Sequence, residues 1–255
     1  MEINFSTKAG TIVSLEKYIK KAKIPKSFFF TVKEWEKNYK NIKEKIINDF
    51  GESSLIVRSS CKKEDKINFS NSGAFLSVQH VKKNVLEDSI NKVIKSYKRT
   101  EEEDEVLIQP MLKNVISSGV AFSHDPNTFS PYRIINWSEG DDTSLVTAGL
   151  GGHIWQQAAK SELIPEKKFA QIISLLEELQ ALFGSVPIDC EFAVTHQKED
   201  EDILWLLQVR RLILSEEPES EITQFNRLKF IEKKVERGMH PHPYLIGKRT
   251  VFGVM

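Results

Sequence analysis

The chain has 255 residues, enough for one large domain or two lobes with a real core. Lys+Arg and Asp+Glu each number 36, so no global basic field draws nucleic acid and no acidic excess marks a solvating protein. The two cysteines, Cys61 and Cys190, lie far apart without metal-type spacing, which fits a reducing cytoplasm. The start MEINFSTKAG has no signal-peptide pattern, and no run of about 18 apolar residues could span a membrane.

In chain order, Ile12, Leu15, Ile19 and Ala22 form an apolar stripe at helical spacing. Pro25 interrupts it, SFFFTV (27–32) reads as a short buried strand, and a second helix covers 33–49, ending near Gly51. Leu55-Ile56-Val57 is an apolar strand with Arg58-Ser59-Ser60 where it emerges, and an arginine at that point must find partners as it leaves the core. Residues 61–74 carry hydroxyls and glycine without any period. They read either as an ordinary connection or as a loop whose hydroxyls and N–H groups hold an anion. Val85 to Tyr97 gives an amphipathic helix, and the acidic run Glu101–Glu105 closes the first half.

The second half opens with strands VLIQPM (106–111), GVAFS (119–123) and YRIINW (132–137). Pro165 opens the best helix, with a stripe through Phe169, Ile172, Ile173, Leu176, Leu179, Leu182 and Phe183 and with Gly184 as its cap. Two strands follow, roughly 188–195 and 203–210, joined by an acidic turn. Alternation places Asp189 and Glu191 on one side of the first, and Gln208 and Arg210 on one side of the second. If the two sides coincide, a carboxylate, an amide oxygen and a guanidinium converge, a set suited to Mg²⁺ and phosphate. On spacing alone, a surface hairpin with solvated charges is the commoner outcome. SEEPESE then reads as a linker, 222–237 as a last helix, and the apolar ending suggests that more protein follows.

Seven motifs in order resemble the nucleotide-binding domain of pyruvate phosphate dikinase and phosphoenolpyruvate synthase: KAG, LIVRSS (55–60), SNSGAFLSV (70–78), VLIQPM, SGVAFSHDP (118–126), DCEF (189–192) and LLQVRR (206–211). The resemblance covers about residues 1–214. It implies an α+β fold of the ATP-grasp type, two lobes with mainly antiparallel sheets closing over ATP. The expected divisions are an amino-terminal lobe 1–105, a carboxy-terminal lobe 106–214, and 215–255 as linker and start of a following domain.

The resemblance also implies roles by position. Lys8 and Arg58 would contact the phosphates of ATP, with Ser59, Ser60 and the loop through Gly73 closing over them. Gln109 and Met111 would lie beside adenine, Glu191 and Gln208 would hold Mg²⁺, and Arg210 would meet the transferring phosphates, with Arg58 and Arg210 as the catalytic pair. The family passes a phosphoryl or pyrophosphoryl group to a histidine on a swivelling domain and on to a small acceptor. None of the six histidines here has the glycine- and serine-rich surroundings of that carrier, so the carrier and acceptor domains are expected elsewhere. The pattern resembles the amino-terminal part of phosphoenolpyruvate-synthase-like sugar or amino-acid kinases, which makes L-glutamine a candidate acceptor.

The chain departs from the family pattern at Arg211, where relatives have proline, and at NWSEGDDTSLVTAG, where they have GLGE. The roles of Glu139, Asp141 and Asp142 are therefore open. An ATP-grasp ligase forming an acyl-phosphate, with ADP as product, and a non-catalytic nucleotide-binding module are the competing readings; no acceptor pocket for the ligase is evident in the sequence.

Overall fold

A computed structural model describes residues 3–61, 76–97, 101, 103–140, 152–197 and 202–239. Gly73, Asp141, Asp142, His240 and His242 lie outside these residues. The architecture is α+β, with two antiparallel sheets and flanking helices.

The first sheet has strand order β1-β4-β2-β3: β1 Phe28–Thr31, β2 Leu55–Ser60, β3 Ser77–Val81 and β4 Glu105–Pro110. One face carries Phe30, Val57, Val106 and Ile108, and it buries them against α2 (Val32–Phe50) and α3 (Leu86–Lys95). Thr31 starts α2 through a capping box with Glu34, which satisfies donors that the first helical turn leaves unpaired. The opposite face presents Ile56, Arg58, Ser60, Leu107 and Gln109, since Arg58 pairs with Leu107 and Ile56 with Gln109 across the ladder.

The second sheet has order β7-β6-β5-β8-β9: β5 Val115–Phe122, β6 Tyr132–Glu139, β7 His153–Ala158, β8 Ile188–His196 and β9 Asp202–Arg211. One face packs Ala121, Ile135, Cys190, Phe192, Leu206 and Val209 against α4 (Lys167–Leu182), whose Ile172, Leu175, Leu176 and Leu179 are buried there. Gly184 follows α4 with φ +75, the left-handed geometry expected of a glycine ending a helix. The last helix, α5 (Glu221–Gly238), is anchored by Arg133, which donates to Glu221 at 2.7 Å and to the Ser123 carbonyl at 2.8 Å. No helix among the described residues is long and apolar enough to cross a membrane.

Three expectations need correction. The lobe boundary at 105/106 falls at the wrong end of β4, which pairs with β1 and β2 and so belongs to the first sheet. The amino-terminal segment belongs to the second core: Ile12 and Leu15 of α1 (Lys8–Leu15) pack there, and Lys23 adds a short parallel bridge to Trp205 of β9. Ile19 and Ala22 join the same core even though the helix has ended, because packing rather than helical continuity keeps that stripe buried.

Gly119 is a point of close approach between β5 and β6. A Cβ built there would lie 2.2 Å from the Asn136 carbonyl oxygen and 3.0 Å from Phe192. Because the nearest atom is backbone, the strands themselves must move, and Gly119→Ala is expected to cost about 2–4 kcal/mol. Denaturant unfolding would check this against the milder Gly51→Ala, where nothing lies within 4 Å but φ is +59.

Candidate functional site

The hairpin β8–β9 brings its polar side chains to one face. Glu191 lies opposite Gln208 and Asp189 opposite Arg210. The irregularity between Glu191 and Phe192 absorbs Leu207, so Trp205, opposite Ala193, joins Gln208 and Arg210 on that face. The face looks toward the first sheet. Arg58 of β2 reaches across and donates from Nη2 to Glu191 Oε2 at 2.9 Å and to Gln208 Oε1 at 3.3 Å. These partners are separated by 133 and 150 residues, and the contact joins the two sheets. Arg210 donates from Nε to both oxygens of Asp189, at 2.7 and 2.9 Å, which fixes its guanidinium beside Glu191.

Burial pushes the Glu191 carboxyl up, but Arg58, Lys8 and Arg210 together outweigh it and hold the group below the usual carboxylate range. Glu191 is therefore an anion at neutral pH. Its contribution to folding is full above the ordinary carboxylate value, about 4.3, and is lost as pH falls through the lowered folded value. The stability gap between wild type and Glu191→Gln should accordingly close on acidification below about pH 4, which thermal unfolding across a pH series would read.

Lys8 opens α1, whose first turn is capped by Thr7. Ser60, expected at the phosphates, is fully buried: its hydroxyl accepts from the Ala9 N–H at 2.9 Å and lies 3.2 Å from Glu105, which also bonds Thr7. Its side chain thus holds the start of α1 against β2 and β4. Ser59 is also buried, and its N–H donates to the Leu76 carbonyl at 3.3 Å. Gln109 shares the face of Arg58, but its amide donates to Ser27 Oγ at 3.0 Å and the side chain is buried. Met111 stands just past β4 in the connection between sheets, its N–H bonded to the Ser54 carbonyl at 2.8 Å.

Two cavities border this face. One of about 690 Å³ opens beside Lys8 and Arg210, walled by Phe5 and the stretch 209–218. The other, about 450 Å³, lies at the connection between sheets, between residues 112–114 and Trp205, whose indole N–H donates to Thr195 Oγ1 at 2.9 Å. Along β9 this face thus carries, in order, an aromatic ring, an amide and a guanidinium, of which the amide of Gln208 is buried. Reasoning from sequence passed over Trp205, because its place on this face depends on the one-residue irregularity that shifts the alternation.

Among the described residues no cluster of three or more His, Cys, Asp or Glu side chains could hold a metal alone. Glu191 and Gln208 still fit a hard divalent ion: they are adjacent oxygen donors, one ionised, and a guanidinium nitrogen already occupies the space between them. An ion held there would need phosphate or water oxygens to complete its shell. The described histidines sit elsewhere. His124 is buried, 3.0 Å from Ser123 Oγ, and burial and Arg133 lower its pKa. His196 pairs with Asp202 at 3.1 Å at the far end of the hairpin.

No protein-family model matches the chain, and no curated protein matches it in sequence. Among solved structures it is similar to D-alanine-D-alanine ligase from Helicobacter pylori, with 15% identity, a TM-score of 0.44, and 93% of this chain and 59% of that one covered. It is also similar to the biotin carboxylase domain of 2-oxoglutarate carboxylase from Hydrogenobacter thermophilus, solved with MgADP, ADP and bicarbonate (11% identity, TM-score 0.46, 82% and 40% covered). A third similar structure is the D-cycloserine synthetase DcsG (10% identity, TM-score 0.46, 90% and 69% covered). The chain thus spans 59% and 40% of the first two proteins, and likeness at this level assigns no activity.

Proposed function

We propose that this chain is the Mg·ATP-binding part of an ATP-dependent phosphotransferase with the ATP-grasp arrangement, holding the nucleotide between its two sheets. The observation that carries the reading is the meeting of Arg58 with Glu191 and Gln208 across the sheets. Phosphoryl transfer asks a protein chiefly to position phosphates and neutralise developing charge. Arg58, Lys8 and Arg210 surround one ionised carboxylate, an electrostatic setting built for a polyanion with a bridging divalent cation. When bound, Mg²⁺ would neutralise phosphate charge beside Glu191 and Gln208. With nucleotide bound, Arg58 would be free to turn from Glu191 to phosphate oxygens, Arg210 would be held ready by Asp189, and the ring of Trp205 would offer a wall for the base.

The motif order favours transfer of a phosphoryl or pyrophosphoryl group to a histidine on a separate swivelling domain, and from there to a small acceptor such as L-glutamine. His124 is enclosed and His196 is engaged with an acid, so neither is placed as the carrier. One observation favours a second reading, an ATP-grasp ligase forming an acyl-phosphate: the cavity beside Lys8 and Arg210 could seat an acceptor carboxylate within this chain.

Product analysis with Mg·ATP separates the two. The dikinase reading expects little turnover by this chain alone, and AMP once a carrier-histidine domain is supplied. ADP formed by the chain alone with a carboxylate acceptor would overturn it in favour of the ligase.

A further inference from the structure

Six side-chain atoms among the described residues are buried without a hydrogen-bond partner: Arg58 Nε, Ser118 Oγ, Arg133 Nε, Asn136 Oδ1, Ser138 Oγ and Gln224 Nε2. Four of them lie on the two facing surfaces of the sheets. Ser118 stands opposite both Ser138 and Ala193, and Asn136 lies opposite Val120, which in turn lies opposite Glu191. By alternation Ser118, Asn136 and Ser138 therefore share the face of Glu191, while Ala121, Ile135 and Phe192 point into the opposite core. Ser118 is only 2% exposed. Buried polar groups in native proteins find partners, so three orphaned oxygens side by side call for a ligand that supplies them.

The chemistry of the three narrows that ligand. The Asn136 oxygen can only accept, and at neutral pH a phosphate or carboxylate has little to donate, so an anion is the wrong partner for it. No carboxylate belongs to the trio to attract an amine. Serine hydroxyls both donate and accept, so a pair of neighbouring hydroxyls, each able to donate and to accept, suits all three. Position agrees. Asn136 is two strands from Glu191, about 10 Å at ordinary strand spacing, a step sideways from the proposed phosphate end. Ser118 lies in the row that leads through Ala193 to Trp205, the proposed base end.

We infer that Ser118, Asn136 and Ser138 form a ribose-recognition shelf that takes the 2′- and 3′-hydroxyls of the nucleotide and selects ribonucleotides over deoxyribonucleotides. This rests on the Mg·ATP reading above and names three residues that the motif resemblance leaves without a role.

The test is calorimetric titration of wild type with Mg·ATP, Mg·2′-deoxyATP and Mg·3′-deoxyATP, repeated on Ser118→Ala and Ser138→Ala. Wild type is expected to bind ATP about tenfold more tightly than at least one deoxy analogue, the size of one hydrogen bond. The corresponding alanine variant should lose that preference while unfolding at the wild-type temperature or above, because it removes an unpaired hydroxyl. Equal binding of all three nucleotides by wild type overturns the shelf and leaves the Mg·ATP reading standing, as does a preference that both variants retain. Absence of binding by any of them overturns both.

Discussion

Glu191→Ala is expected to abolish the Mg²⁺ dependence of nucleotide binding, lowering affinity for Mg·ATP on the order of 100-fold. Among the described residues Glu191 is the ionised oxygen donor in direct contact with Arg58, and Gln208 beside it supplies only a neutral oxygen. Losing the carboxylate removes the charge that would attract a divalent cation, and among the described residues it leaves the Arg58 guanidinium only the Gln208 amide oxygen. Gln208→Ala should therefore be milder than Glu191→Ala. Calorimetry with Mg²⁺ and with EDTA would check both. If Glu191→Ala retained metal-dependent binding at wild-type affinity, the metal assignment would be wrong.

Arg58→Ala is expected to act twice. On the proposed reading it removes a cation that would meet the phosphates, which should weaken Mg·ATP binding about 10- to 100-fold, the range for hydrogen bonds to charged groups. It also leaves Glu191 largely enclosed without its nearest cation; the two side chains are 12% and 21% exposed. Breaking such a pair from one side is costly, but Lys8 and Arg210 remain to screen the carboxylate. A loss of about 1–3 kcal/mol is therefore expected rather than the full cost of an orphaned buried charge. The double variant Arg58→Ala/Glu191→Ala should recover part of that stability, since no unpaired charge is left behind. A residue serving only the fold would show the stability loss without the change in affinity.

The hairpin was legible because its information is local. Parity along DCEF and LLQVRR placed Glu191, Gln208 and Arg210, and the structure brings them onto one face opposite Arg58. The arginine itself was legible from its place after Leu55-Ile56-Val57, where a cation emerging from an apolar strand needs partners. Two edge strands escaped. β3 (SVQHV) and β7 (HIWQQA) each pair on one side only and are largely exposed, so neither carries the apolar alternation that marks a half-buried strand.

What sequence could not supply was non-local. Nothing in VLIQPM says that its strand inserts between β1 and β2, and so the lobe boundary was drawn too early. Nothing in Ser60 or Gln109 says that neighbours 51 and 82 residues away will take up their side chains. Trp205, Ser118, Asn136 and Ser138 became visible only once strand register fixed which way each one faces.

On the proposed reading, the face joining Arg58, Glu191 and Gln208 binds Mg·ATP. The most direct test is calorimetric titration of this chain with ATP, with and without Mg²⁺. Binding should require the metal and be lost in Glu191→Ala. Absence of binding under both conditions, or binding indifferent to metal and to Glu191, would contradict it.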